Sequence, residues 1–394
     1  MAGRYEPRLS HISHAVLVRL AAEGMRAMSD EARRSAEEVI AVHSPVPAFA
    51  VAQVLTSPDV VGCLLQSLGL KDCRTARVCT AWRNAWILKD QSALGKLRVV
   101  HTCFAGFGFM GHVTPRPDGG VVVPDYQNSC LKQFSKQGQY ESVLLCGQVV
   151  HHTPSGLAFM GDGTAWVVGS DRRDLVRVNL TTGAPLIKLD CGVLGADWCS
   201  FADDVALAGD ALLVLSNGEP GQTCIAVLSA ETGEMRFSFG EFGSDDVQLR
   251  APESLTVHGD LVYVADRGNH RIQVYQLSEN GRHVRSIGRT GEAPDWDEVA
   301  DEDLWLSVDG DKRMGSVPGE FNEPAGVAIS HGRLYVSELE GRRIQVLTLE
   351  GEPLHVVASP DGKPLGGLCV DADRLWVIGP GCDPSHMHLL KLVD

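Results

Sequence analysis

Two stretches of the chain are near-copies of one another, and this internal repeat restricts the fold more than any other feature. PESLTVHGDLVYVADRGNHRIQVYQLSENG (252–281) and PAGVAISHGRLYVSELEGRRIQVLTLEG (324–351) both open on proline. Asp266 and Glu338 follow that proline by fourteen positions. Six positions further stand Ile272 and Ile344, then Val274 and Val346, before a glycine, Gly281 or Gly351, marks a turn. Short β-branched runs alternating with Gly, Asn and Asp read as consecutive antiparallel hairpins.

The same frame fits four more places. VVVPDYQNSCLKQFSKQG puts Asp125 at the position of Asp266, and PSGLAF followed by WVVGSDRRDLVRV puts Gly169 there. ALLVLSNGEPGQTCIAVLSAETG supplies Ser216, and PLGGLCV with RLWVIGPG supplies Gly379. Successive reference positions lie 44, 47, 50, 72 and 41 residues apart. About 40–45 residues is what one four-stranded propeller blade needs. The long interval holds the acidic stretch GEAPDWDEVADEDLWLSVDGDK, an expected inter-blade insertion at about 289–314.

Six such units predict an all-β, six-bladed β-propeller over 97–394. Five copies end in a turn glycine (Gly138, Gly183, Gly233, Gly281, Gly351) and a fourth strand, whereas the sixth stops after HMHLLKLV. A blade without its outer strand leaves an open edge. LRVVHT (97–102), β-competent and just ahead of the first blade, is expected to fill that place and close the ring.

VADRGNHRIQVY and YVSELEGRRIQVL resemble NHL repeats, a family whose propellers carry a V-x-D-x-x-N-x-R-I-x-V-F-like line. Ahead of the ring, residues 1–50 have helical periodicity, as in Ile12, Val16, Leu20 and Met28. Residues 51–95 contain SPDVVGCLLQSLGLKDCRTARVCTAWRNAW, which resembles an F-box: a short helix, a Gly69-Leu70-x-Asp72 turn and a helix bearing Val78, Cys79, Trp82 and Arg83. The resemblance implies that Val60, Leu64, Leu68, Leu70, Val78 and Trp82 dock on a Skp-type adaptor of a cullin–RING ubiquitin ligase. So many apolar groups exceed what a short hairpin hides within itself, and a Trp anchor is a common hot spot. The plainer alternative is a helical cap on the propeller.

Charge and cysteines narrow the options. The formal net charge is −15, split into +3 over 1–96 and −18 over 97–394, a balance that disfavours RNA as a partner. Eleven cysteines include no C-x-x-C pair, so a RING finger or zinc site is not expected. No apolar stretch approaches the roughly 20 residues that span a bilayer. A soluble cytoplasmic protein, with the nucleus as the alternative, is expected.

No catalytic residue, metal site or cofactor is expected from the motifs present. Asp125, Asp266 and Glu338 recur symmetrically, as structural carboxylates receiving turn N–H groups would. Arg172-Arg173, His270-Arg271 and Arg342-Arg343, with Arg267, all fall in the turn after the second strand of their blades. They are expected on one face, either bridged to neighbouring acids or exposed as a docking arc for an acidic or phosphorylated ligand. Joined together, the parts suggest a non-enzymatic adaptor. Its F-box-like segment would recruit the ligase and its propeller would hold an unidentified protein substrate for ubiquitin-dependent degradation. The alternatives are an interaction or RNA-binding scaffold and, behind it, a propeller lyase or lactonase.

Overall fold

The computed structural model describes residues 97–392 apart from 108–110, 126–127, 147–153, 170–173, 191–201, 217–221, 289–314, 372 and 380–384. All of these belong to one unit, Lys96–Asp394. The F-box-like segment, with Val60 to Trp82, the acidic insertion, and Arg172 and Arg173 lie outside the described residues.

The chain starts with β1 (Leu97–Phe107), then lays down four-stranded antiparallel sheets in sequence order. Blade 1 is β2 (Thr114–Pro115), β3 (Val121–Asp125), β4 (Cys130–Phe134) and β5 (Tyr140–Cys146). Blade 2 is β6 (Pro154–Phe159), β7 (Thr164–Gly169), β8 (Asp174–Asn179) and β9 (Pro185–Asp190). Blade 3 is β10 (Ala202–Ala208), β11 (Ala211–Ser216), β12 (Thr223–Ser229) and β13 (Met235–Glu241). Blade 4 is β14 (Pro252–His258), β15 (Leu261–Asp266), β16 (Arg271–Gln276) and β17 (Arg282–Gly288). Blade 5 is β18 (Pro324–Ser330), β19 (Arg333–Glu338), β20 (Arg343–Thr348) and β21 (Pro353–Ala358). The last sheet holds β22 (Leu368–Asp371), β23 (Arg374–Ile378) and β24 (Ser385–Leu392), with β1 as its fourth strand.

The repeat frame survives intact. Asp125, Gly169, Ser216, Asp266 and Glu338 are each the last residue of a second strand, and Gly379 directly follows β23. The five turn glycines all have positive φ, from 71° to 95°. At Gly281 a side chain is excluded twice over: φ is 74°, and a Cβ would meet Phe239 Cγ of the previous blade at 2.0 Å.

Among the described residues an apolar cluster fills each of the six gaps between blades. Between blades 2 and 3, Trp166, Val168 and Leu175 pack on Val205, Leu212 and Val214. The alternate residues of the same strand, Leu213 and Leu215, face blade 4 and meet Leu255, Val262 and Val264. Second and third strands are therefore buried on both faces and read as continuous apolar runs, as in ALLVLS. Each fully buried Val or Leu contributes about 1.5–3 kcal/mol, so the gaps carry most of the stability. Outer strands instead alternate, as in β17, where exposed and half-buried positions follow one another.

Closure occurs as the short sixth copy requires. β1 pairs antiparallel with β24 from Leu97↔Leu392 to Phe107↔Ser385, with irregularities after Val99 and Phe104. The closing strand runs five residues beyond the expected 97–102. Without it, β24 would present a free edge, and blades 6 and 1 would share a gap fastened only by Val121, Phe134, Trp376 and their neighbours. Removing residues 97–107 is expected to lower the melting temperature sharply and promote self-association, read by calorimetry and light scattering. An unchanged melt would contradict the closure.

Candidate functional site

The recurring carboxylates organise one end of the ring. Asp266 closes β15 fully buried, and it accepts the Arg250 backbone N–H at 2.7 Å, Asn269 Nδ2 at 2.8 Å and Arg271 Nε at 2.8 Å. Arg271 Nη2 then donates to the carbonyls of Asp245 (2.6 Å) and Gln248 (2.8 Å). Gln273 Nε2 donates to Asp246 O and Tyr275 OH to Val247 O, so β16 grips the connector between blades 3 and 4 at four successive residues. Blade 5 repeats this. Glu338 pairs with Arg343 Nε at 2.7 Å and accepts Asn322 N–H, while Arg343 and Gln345 donate to carbonyls of Gly315, Ser316 and Glu320. In blade 1 the pair is Asp125 with Lys132, at 2.5 Å, helped by Asn128.

The electrostatics follow from burial. It pushes the Asp266 and Glu338 carboxyls up, against the pull of Arg271 and Arg343. For Asp125 burial also pushes upward, but the Lys132 ammonium and the Asn128 donors outweigh it and hold the carboxyl below its usual range.

This network accounts for most of the arginine arc. Arg271 and His270 are buried, and His270 Nδ1 accepts the Glu323 N–H at 3.1 Å. Arg267 is clamped between Glu253 (2.5 Å) and Glu323 (3.1 Å), and Arg343 is committed to Glu338 and the connector. Of the described members of the arc, Arg342 alone is exposed. Arg267, Arg271 and Arg343 thus take the bridged form, one of the two expected for this arc, with carboxylates and connector carbonyls receiving their N–H groups, while His270 accepts a backbone N–H. Breaking a buried pair from one side strands the partner's charge. Arg271→Leu is expected to cost about 3–5 kcal/mol of unfolding free energy, whereas Arg342→Ala stays within about 0.5 kcal/mol, both read by denaturant titration.

A second arrangement lies in the central channel, a cavity of about 340 Å³ walled by the inner strands of all six blades. At one level near its mouth the six blades contribute His112, Gly156, Asp204, Ser254, Gly326 and Gly367. Register shows that these positions correspond. Gly156, Asp204, Ser254 and Gly326 pair with Val168, Leu215, Ala265 and Ser337, each one residue before a reference position. In the four of these blades a register irregularity separates this residue from the first of the strand, as between Ala202 and Asp204. Such bulges recur at barrel rims and beside binding sites because they re-aim a side chain.

Three of the six positions are glycine and three are polar. Asp204 is buried; its Oδ1 accepts the Val205 N–H at 2.8 Å, and its Oδ2 accepts Ser254 Oγ and the Leu255 N–H, both at 3.0 Å. His112 Nδ1 faces the same Oδ2 at 3.9 Å and has no hydrogen-bond partner. The backbone N–H of His112 donates to Ser155 O at 2.8 Å, which fixes the residue to blade 2. Among the described residues lining the cavity none is Lys or Arg, and Asp204 is the one carboxylate. Among the described residues no group of three His, Cys, Asp or Glu is placed to hold a metal ion.

Neither His112 nor Asp204 stands out in a motif search. The signal that finds them is positional: they lie twelve or thirteen residues ahead of Ser216 and Asp125, where other copies carry glycine or serine.

Comparison with known proteins fits this architecture. A model of the NHL repeat matches residues 249–275, the connector and first strands of blade 4. Among curated proteins no sequence matches the chain significantly. Among solved structures, a gluconolactonase from Xanthomonas campestris, XC5397, superposes with a TM-score of 0.53 at 14% identity, covering 76% of this chain and 90% of that one. A PQQ-bound aldose sugar dehydrogenase from Streptomyces coelicolor gives 0.49 at 15% identity, covering 75% and 98%. A virginiamycin B lyase from Staphylococcus aureus gives 0.48 at 15%, covering 72% and 80%. At these identities the likeness is one of fold. It nonetheless corrects the expectation of a non-enzymatic chain, because that expectation treated this ring as a holder and the gluconolactonase uses the same ring as an enzyme. Among the described residues no helix is long and apolar enough to cross a membrane. The described residues form a six-bladed β-propeller in which residues 249–275 match the NHL repeat, and His112, Asp204 and Ser254 stand at the mouth of its channel.

Proposed function

We propose that the propeller binds a small polar molecule at the channel mouth and acts on it through Asp204 and His112 as an acid–base pair. The observation that carries this reading is the 3.9 Å face-off between the His112 Nδ1 and the buried Asp204 carboxylate in a cavity large enough for a small ligand. General acid–base work needs a carboxylate and an imidazole within reach of one reacting proton, and a rigid scaffold to keep them there. The scaffold here is the inner-strand bulge and the bonds from Ser254, Leu255 and Val205. The purely structural alternative is that Asp204 only pins blade 3 to blade 4. It explains the bonds to Ser254 and Leu255 but not a facing histidine without a partner.

A ligand-observed NMR survey of neutral, anionic and cationic fragments tests this reading. Fragments competing for one site are expected, with binding lost in His112→Phe while the melting temperature stays within a few degrees. Binders indifferent to His112→Phe would contradict it.

A second reading concerns the N-terminal segment. The residues Val60, Leu64, Leu68, Leu70, Val78 and Trp82 support recruitment of a Skp-type adaptor through the F-box resemblance, with the propeller then selecting what is ubiquitinated. Adaptor pull-down is expected with the wild-type chain and not with Trp82→Ala plus Val78→Ala. No capture by the wild type would remove this role.

A further inference from the structure

We infer that the channel mouth selects a ligand bearing a primary ammonium group, held between Asp204 and His112. This rests on the proposed reading of the mouth as a ligand site and adds the chemistry of what it takes.

The argument is a count of donors and acceptors. A carboxylate offers about four acceptor sites. At Asp204 three are used: one on Oδ1 by Val205 N–H, two on Oδ2 by Ser254 Oγ and Leu255 N–H. The remaining capacity is on Oδ1, which lies beside Gly156; a Cβ there would stand 3.3 Å from Oδ1 and crowd it. His112 Nδ1 is buried without a partner and aimed at the same carboxylate, from beyond hydrogen-bond reach. With Nδ1 as the bare ring nitrogen, the two groups are both acceptors. A group seated between them must therefore donate at least twice. A hydroxyl donates once. A water molecule donates twice but leaves the carboxylate charge uncompensated. A primary ammonium donates three times and brings the opposite charge.

The surroundings point the same way. Among the described residues no Lys or Arg lines the cavity or pairs with Asp204, and Arg267 is already shared between Glu253 and Glu323. The ring as a whole carries −18 over residues 97–394, so its field draws cations and repels anions. A buried carboxylate in such a cavity is costly unless a cation meets it, which favours charged over neutral ligands of equal shape.

Titration calorimetry of the full chain with benzylammonium, benzyl alcohol and benzoate tests this with probes of one shape and three charges. Benzylammonium is expected to bind one-to-one and at least ten-fold more tightly than benzyl alcohol, with benzoate silent. Asp204→Asn is expected to erase the preference. Because that variant sets an amide N–H against a backbone N–H and can unfold the blade, His112→Ala serves as the second variant, expected to weaken benzylammonium several-fold more than it weakens benzyl alcohol. Equal binding of benzylammonium and benzyl alcohol, both weakened in His112→Ala, would overturn the ammonium assignment and leave the mouth as a neutral-ligand site. Benzylammonium binding that ignores His112→Ala, with the fragment survey likewise indifferent to His112, would overturn both.

Discussion

Everything in this molecule depends on the ring being closed by its two ends. Six inner strands can share one channel only if the sixth gap is packed like the other five. That gap is held by the pairing of β1 with β24 and by the apolar cluster between blades 6 and 1. The device also removes a free edge that would otherwise recruit another chain. Because β1 and β24 lie at opposite ends of the ring sequence, closure is the least local contact in the fold. The channel mouth, assembled from six blades, comes into being only when it forms.

Within that ring the connectors are fixed by a device repeated with variations. A carboxylate at the end of the second strand orients a cation on the third strand, and the cation reads the carbonyls of the preceding connector. Asp266 with Arg271 and Glu338 with Arg343 are full versions, and Asp125 with Lys132 is a shorter one. Blades 2, 3 and 6 have Gly169, Ser216 and Gly379 there and omit the carboxylate. The buried guanidinium is thus committed to folding, and the recurring charged line is a structural signature of the blade.

Much of this could be read from residues alone, and the boundary has a physical cause. Strand frame and turn glycines were legible because they are local: a period of two along each strand and a positive φ at each third turn leave marks within a few residues. The closing strand was legible by subtraction, since the sixth copy lacked one strand and LRVVHT had no other place. Bridging of the arginines to acids was one of two legible readings, but their grip on the connectors was not. Their partners, the carbonyls of Asp245, Gln248 and Gly315, lie more than twenty residues upstream in connectors with no pattern of their own. The channel mouth failed to show for a related reason. His112, Asp204 and Ser254 are scattered over more than 140 residues and meet only through the ring, and the blade that supplies Asp204 begins ADD where its neighbours begin with proline. Departure from symmetry at one level of a symmetric channel is the mark of the site: three blades keep the glycine and three replace it with groups that can exchange protons.

Native-state hydrogen exchange on the full chain tests the closed ring most directly, because it reads each strand's opening separately. If β1 and β24 complete the sixth blade, their amides exchange with the same free energy as those of β15 and β16, through global unfolding. If they instead exchange far faster, by an opening that leaves β15 and β16 protected, the ring is not closed by its ends, and a channel mouth shared by six blades has no fixed geometry.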